Sequence, residues 1–227
     1  MDSLVEKITL YDIMSYFIPG FLCSTLLIFG LVPELLKHNL GAYDKYVGYM
    51  TFTFLILSYV AGIAISDMAR CLCDVLSKTF LDKKFSGWND INKDNKNLKK
   101  ALLKSGMSRE KIHPDGNESF GDKQEIMDWI YADIQIDPQY KRIHNYASSE
   151  SMYKNISMAF LIAVIVQLVL YPILGFSPWS GRIKVFMVLT ELVMVAIFLS
   201  RWKTFENKKK AYAFMWFMGK YCAQENI

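Results

Sequence analysis

Four apolar stretches dominate this 227-residue chain, and each approaches the ~20 residues that a helix needs to cross a hydrocarbon core. They are "YFIPGFLCSTLLIFGLVPELL" from Tyr16, "YMTFTFLILSYVAGIAIS" from Tyr49, "MAFLIAVIVQLVLYPILGF" from Met158 and "IKVFMVLTELVMVAIFLS" from Ile183. With 52% hydrophobic residues and a mean hydropathy of +0.16, the chain reads as an all-α membrane protein of four transmembrane helices. A helical cytoplasmic insert lies between the second and third. The first stretch is expected to stay in the mature protein. Asp2, Glu6 and Asp12 dilute a signal-like n-region, and its apolar run is too long for a typical h-region.

Charge sets the expected orientation. Of the 26 lysines and arginines, all but Lys37, Lys45, Arg182 and Lys184 fall on one side if the N-terminus, the insert and the tail share it. Both termini and the insert are therefore expected inside the cell, with "SRWKTFENKKK", Lys154 and Arg70 flanking the membrane there. The division is 1–68 for the N-terminal segment and first hairpin, 69–155 for the insert, 156–200 for the second hairpin and 201–227 for a tail helix. The four cysteines lie within the spans or on their cytoplasmic side, where thiols stay reduced, so no disulfide is expected. Cys71 and Cys73 lack a second pair at metal-ligand spacing, so no metal or other cofactor is expected.

The second span runs without a breaker through "DMARCLCDVLSKTFLDKK", and "PQYKRIHNYASSESMYKNIS" leads from Pro138 into the third. Long helices are expected to continue below the membrane. The insert divides by charge, with a net of +6 over Lys83–Lys111 and −6 over Ile112–Asp137. Its halves either neutralise each other within a small helical domain or present an acidic helix to a soluble partner. In the second reading Ile126, Asp128, Trp129, Ile130 and Asp133 carry the docking. A dipolar insert does not bind nucleic acid directly, since that calls for a sustained basic stripe. The tail "AYAFMWFMGKYC" is apolar nearly all round and too short to span. It either lies at the inner leaflet, held by Lys208, Lys209 and Lys210, or packs on the insert or a neighbouring subunit, the latter being favoured.

Glu191 sits in the middle of the fourth span, where an unserved carboxylate costs at least a few kcal/mol. Counting from the cytoplasmic edge puts Glu191 and Gln167 nine residues deep, ~13 Å at 1.5 Å per residue. The same count reaches Ser24 and Thr25 in the first span and Ser58 in the second. Small residues share faces with this layer: Gly20 with Ser24, Gly62 and Ser66 with Ser58, and Ala159 and Ala163 with Gln167. Small-xxx-small runs let helices approach closely in lipid. Glu191 is expected to be neutral and hydrogen-bonded to Gln167 and a nearby hydroxyl, as glue that fixes helix register or as a gate or sensor element, the remaining alternative being a lipid-facing or snorkelling side chain.

No phosphate loop, zinc-protease motif, nucleophile elbow or paired intramembrane acid occurs in the sequence, so no enzyme is expected. The hairpins do not repeat well enough for a secondary transporter.

The entry "EKITLYDIMSYFIPGFL", the second-span ending "YVAGIAISDMAR", the charged helical insert and the basic exit from the fourth span together resemble the membrane subunits of the Kiwa anti-phage defence system. That resemblance implies a bacterial inner-membrane sensor that forms homo-oligomers. It also implies that the cytoplasmic face engages the soluble, DNA-binding Kiwa subunit. The expected function is thus a non-enzymatic sensor or scaffold that recruits a cytoplasmic effector. The alternatives are a small oligomeric pore that depolarises the cell, and an assembly factor for another membrane complex.

Overall fold

The structure, a computed structural model of the chain, describes residues 10–35, 47–76, 96–108, 112, 123–134, 140–173 and 181–222. These are helical almost throughout, and no strand occurs among them. The first helix, α1, runs as Leu10–Asp12, a π segment Ile13–Phe17, and Ile18–Leu35. It is followed by α2, Val47–Leu76, then α3, Lys96–Lys104, and α4, Lys123–Ile134. The fifth, α5, runs as Tyr140–Ile165, a π segment Val166–Leu170 and Tyr171–Ile173; α6 is Gly181–Cys222.

Three helices are long and apolar enough to cross a membrane: Val47–Cys73, Arg142–Ile173 and Gly181–Cys222. A shorter apolar stretch, Ile13–Phe29, lies in α1. The expected tail helix has no boundary of its own, because α6 continues without a break from the fourth apolar stretch through the lysines to Cys222. Pro138, by contrast, lies outside the described residues.

The chain divides into two compact units, with boundaries that differ from those drawn from composition. The first comprises Met1–Phe80 with Ser148–Lys203, and the second Leu81–Ala147 with Thr204–Ile227. The insert and the tail are thus one unit, not two segments.

In the first unit the two π segments have a common origin. Each ends two residues before a proline, Phe17 before Pro19 and Leu170 before Pro172. Proline has no N–H to donate, so the regular i to i−4 ladder cannot pass through it. The N–H groups of Ile18 and Tyr171, one residue earlier, reach the carbonyls of Ile13 and Val166 in the wider register. Such bulges interrupt an otherwise straight helix and leave carbonyls open. Half of the apolar window of α5 is buried, against 17% for α2 and 6% for α6, so α5 is the inner helix of this unit.

The second unit has its own core. Leu98, Ala101 and Leu102 of α3, Ile126, Met127, Ile130 and Ile134 of α4, Ile143, and Ala213 and Phe217 of α6 pack together, fully or nearly buried. Helix α3 shows why: its apolar residues recur at helical spacing while Lys96, Lys100 and Lys104 stay exposed. It stops at Gly106, whose φ of +90° suits glycine. There Gly106 N–H donates to the Leu103 carbonyl at 3.1 Å and Met107 N–H to the Leu102 carbonyl at 3.0 Å. Those two bonds satisfy the open helix end in a Schellman motif.

Candidate functional site

The site is a set of polar contacts that α5 makes on both of its sides in the first unit. Toward α6, Gln167 Nε2 donates to Glu191 Oε1 at 2.7 Å, both side chains being buried. Ser157 Oγ donates to the Val195 carbonyl at 3.2 Å. Toward α1, Asn155 Nδ2 donates to the Ser15 carbonyl at 2.6 Å and the Tyr171 hydroxyl to the Leu27 carbonyl at 2.7 Å. In a regular helix the donor to Ser15 would be residue 19, which is proline, so Asn155 serves an acceptor that its own helix cannot.

Each π segment holds one buried polar residue, Ser15 in the first and Gln167 in the second. The bulge around Gln167 places this amide toward α6, and Tyr171, one turn on, reaches α1. A single stretch of α5 therefore ties two neighbouring helices. Glu191 Oε2, Asn155 Oδ1, Ser15 Oγ and Ser58 Oγ are buried without a hydrogen-bond partner among the described residues. Such atoms are costly in an apolar interior, and each asks for a proton, a water or a rearranged partner.

Not all of the expected layer converges here. Thr25 is exposed, and its hydroxyl folds back on the Phe21 carbonyl of its own helix at 2.7 Å. Ser24 is half-buried and Ser58 fully buried. The Ser58 carbonyl instead lies against Gly20. A methyl group added at Gly20 would land on that oxygen and lie 2.6 Å from the Gly62 nitrogen. One added at Gly62 would land on the Tyr16 carbonyl. At Gly20 and Gly62 the backbones of α1 and α2 thus approach too closely for any side chain. Ser66, Ala159 and Ala163 are buried as well, and Ala159 packs with Cys23, Ile65, Ala69 and Met158.

The acidic helix makes contacts within the chain through four of the five residues named for docking. Ile126 and Ile130 are buried in the core of the second unit beside Ala213 and Phe217. Trp129 Nε1 donates to Ser105 Oγ at 2.9 Å. Asp133 accepts from Lys220 Nζ at 2.9 Å and from the Tyr221 hydroxyl at 2.7 Å. Of the five named residues, Asp128 alone is exposed. The tail lysines are engaged too: Lys210 pairs with Glu206 at 2.6 Å, Lys209 lies over the Tyr131 ring and Lys208 over the Phe205 ring.

Sequence reasoning missed Ser15, Asn155, Ser157 and Tyr171. The signal that was present is the pair of prolines, Pro19 and Pro172, which mark where carbonyls open. Compared with protein-family models, with curated proteins and with solved structures, the chain matches none.

Proposed function

We propose that this chain is a non-enzymatic membrane subunit that senses a change at the bacterial inner membrane and recruits a soluble cytoplasmic effector. It crosses the membrane four times with both termini inside and assembles with further copies of itself. The effector is the DNA-binding Kiwa subunit if the resemblance in sequence layout holds.

The observation that carries this reading is the buried pair of Gln167, in a π segment of α5, with Glu191 of α6. An ionisable residue at membrane depth is expensive and is kept where a path, a relay or a switch needs it. A π turn is a natural place for that switch, because its register can change locally without unfolding the helix. A shift at Gln167 would also disturb Tyr171 and the contact with α1. The second unit supports recruitment, since its core gives the effector a folded platform.

Co-expression of the full chain with the soluble protein encoded beside it tests the proposal. Co-purification from detergent, together with no ion conductance when the chain alone is reconstituted into vesicles, is the expected result. Conductance by the chain alone would favour a depolarising pore instead.

A further inference from the structure

In the second unit an aromatic row runs between the start of α5 and the later part of α6. The Tyr146 ring stands between Tyr212 and Phe205, its centroid 5.1 Å from the first and 6.2 Å from the second. Phe205 and Tyr212 lie about two turns apart on α6, ~10 Å at 1.5 Å per residue. A cation sits over each end of the row. The Arg142 guanidinium carbon is 6.0 Å from the Tyr212 centroid, and Lys208 Nζ is 5.2 Å from the Phe205 centroid. The three rings are half-buried, whereas Arg142 and Lys208 are exposed.

Spacing explains the row. Phe205, Lys208 and Tyr212 recur at helical intervals on α6, as Arg142 and Tyr146 do on α5, so each set shares one helix face. No carboxylate pairs with Arg142 or Lys208 among the described residues, and the acid closest to Lys208 in sequence, Glu206, pairs with Lys210. Lying on a ring uses the face of a guanidinium and leaves its edge N–H groups pointing outward. The ring also holds the cation in place.

We propose that this row docks an acidic helix of a protein partner, with one carboxylate on Arg142, a second on Lys208 and an apolar side chain midway on Tyr146. Charge complementarity decides the occupant. Two cations over rings ~10 Å apart match carboxylates two turns apart on one helix face, and the residue one turn from each meets the ring between them. Arginine takes a carboxylate through two parallel N–H donors. A single-stranded nucleic acid fits less well, because cations already lie over both outer rings and Tyr146 is tilted by 48° and 38° to its neighbours, which leaves no flat stacking platform. A lipid headgroup brings negative charge but no apolar group for Tyr146.

The test titrates the full chain, in mild detergent at low salt, into a fluorescein-labelled, alanine-rich helical peptide with glutamates two turns apart and a leucine midway. A counterpart with glutamines in place of the glutamates is the control, and fluorescence anisotropy is the readout. The parent is expected to bind the acidic peptide several-fold more tightly than the control. Arg142→Gln combined with Lys208→Gln should abolish that preference, and Arg142→Glu combined with Lys208→Glu should transfer it to a peptide with lysines instead. Where a variant proves unstable, the order of the peptides on the parent decides. Equal binding of acidic and control peptides by the parent, binding of neither, or a preference that survives in the glutamine variant would overturn the proposal. So would tighter binding of a labelled oligothymidylate, or displacement of the peptide by an equal concentration of phosphatidylglycerol, which would assign the row to nucleic acid or to lipid. That the partner is the cytoplasmic effector rests on the function proposed above. Loss of effector co-purification in the glutamine variant supports that link, and retention by that variant overturns it. Failure of the parent to retain the effector while the acidic peptide still binds would contradict recruitment and leave the docking row supported.

Discussion

Gln167 and Glu191 meet at 2.7 Å across α5 and α6, and both side chains are at least 95% buried. The pair joins the inner helix of the first unit to the least buried one. On the other side of α5, Asn155 and Tyr171 reach α1 through backbone carbonyls, so the helix is held by polar contacts at two levels.

The glycine contact should be the least forgiving packing point. Gly20→Ala and Gly62→Ala each drive a methyl group into backbone, which cannot swing aside as a side chain can. Each should destabilise the first unit by about 1–3 kcal/mol, the usual scale for overpacking. Gly48→Ala and Gly181→Ala, which meet nothing within 4 Å, should be silent. Thermal unfolding in detergent, followed by loss of monodisperse protein, checks all four.

Asn155 should matter for its donor. Asn155→Ala leaves the Ser15 carbonyl unserved and should cost roughly 1 kcal/mol, the scale of interhelical hydrogen bonds in membranes. Asn155→Asp should cost more, because it sets a carboxyl oxygen against the same carbonyl oxygen. Equal stability of the two variants would show that the bond is incidental.

In the second unit, Asp133 should help to hold the end of α6. Asp133→Lys breaks the contacts to Lys220 and Tyr221 and should loosen residues 204–222, within about 1 kcal/mol for so exposed a pair. Donation to Asp133 raises the Lys220 ammonium above the ordinary lysine range, and burial, then Asp133, raises the Tyr221 hydroxyl. Both groups favour the protonated form in the folded unit. Their contribution is therefore complete below the ordinary lysine and tyrosine values and is lost as pH rises through the raised ones. Hydrogen exchange of residues 204–222 at neutral and strongly alkaline pH should show that loss in the parent and little further change in Asp133→Lys.

The Glu191–Gln167 contact was legible because depth in a spanning helix can be counted, and a lone acid demands a partner at equal depth. Thr25 shared the depth but not the site. A threonine in a helix can satisfy its hydroxyl on the carbonyl one turn back, and periodicity cannot tell that bond from a cross-helix one. Asn155 went unread because its acceptor is a backbone carbonyl, which every residue has. Only Pro19 made that carbonyl special. The acidic helix shows a different limit: spacing located its buried face at Ile126 and Ile130 but could not say that Ala213 and Phe217 of the same chain would cover it.

Topology follows from the four-span proposal. A cysteine introduced at Asp44 or Trp179 should react with an impermeant maleimide from outside intact cells, and one at Gly116 or Gln224 only after lysis. External labelling at Gly116 would contradict the arrangement.

The most direct test is native mass spectrometry of the full chain co-expressed with its effector, comparing the parent with Glu191→Gln, Glu191→Leu and Glu191→Lys. One spectrum reads both oligomer mass and effector occupancy. Glu191→Gln preserves shape and hydrogen bonding but cannot ionise, so it should keep the parent's oligomer mass and change effector occupancy. Glu191→Leu strands Gln167 and should weaken assembly by roughly 1 kcal/mol. Glu191→Lys places a cation where no counter-ion faces it among the described residues and should disrupt assembly. Parent-like mass and effector occupancy in all three variants would contradict a sensing role for Glu191 and a structural one alike.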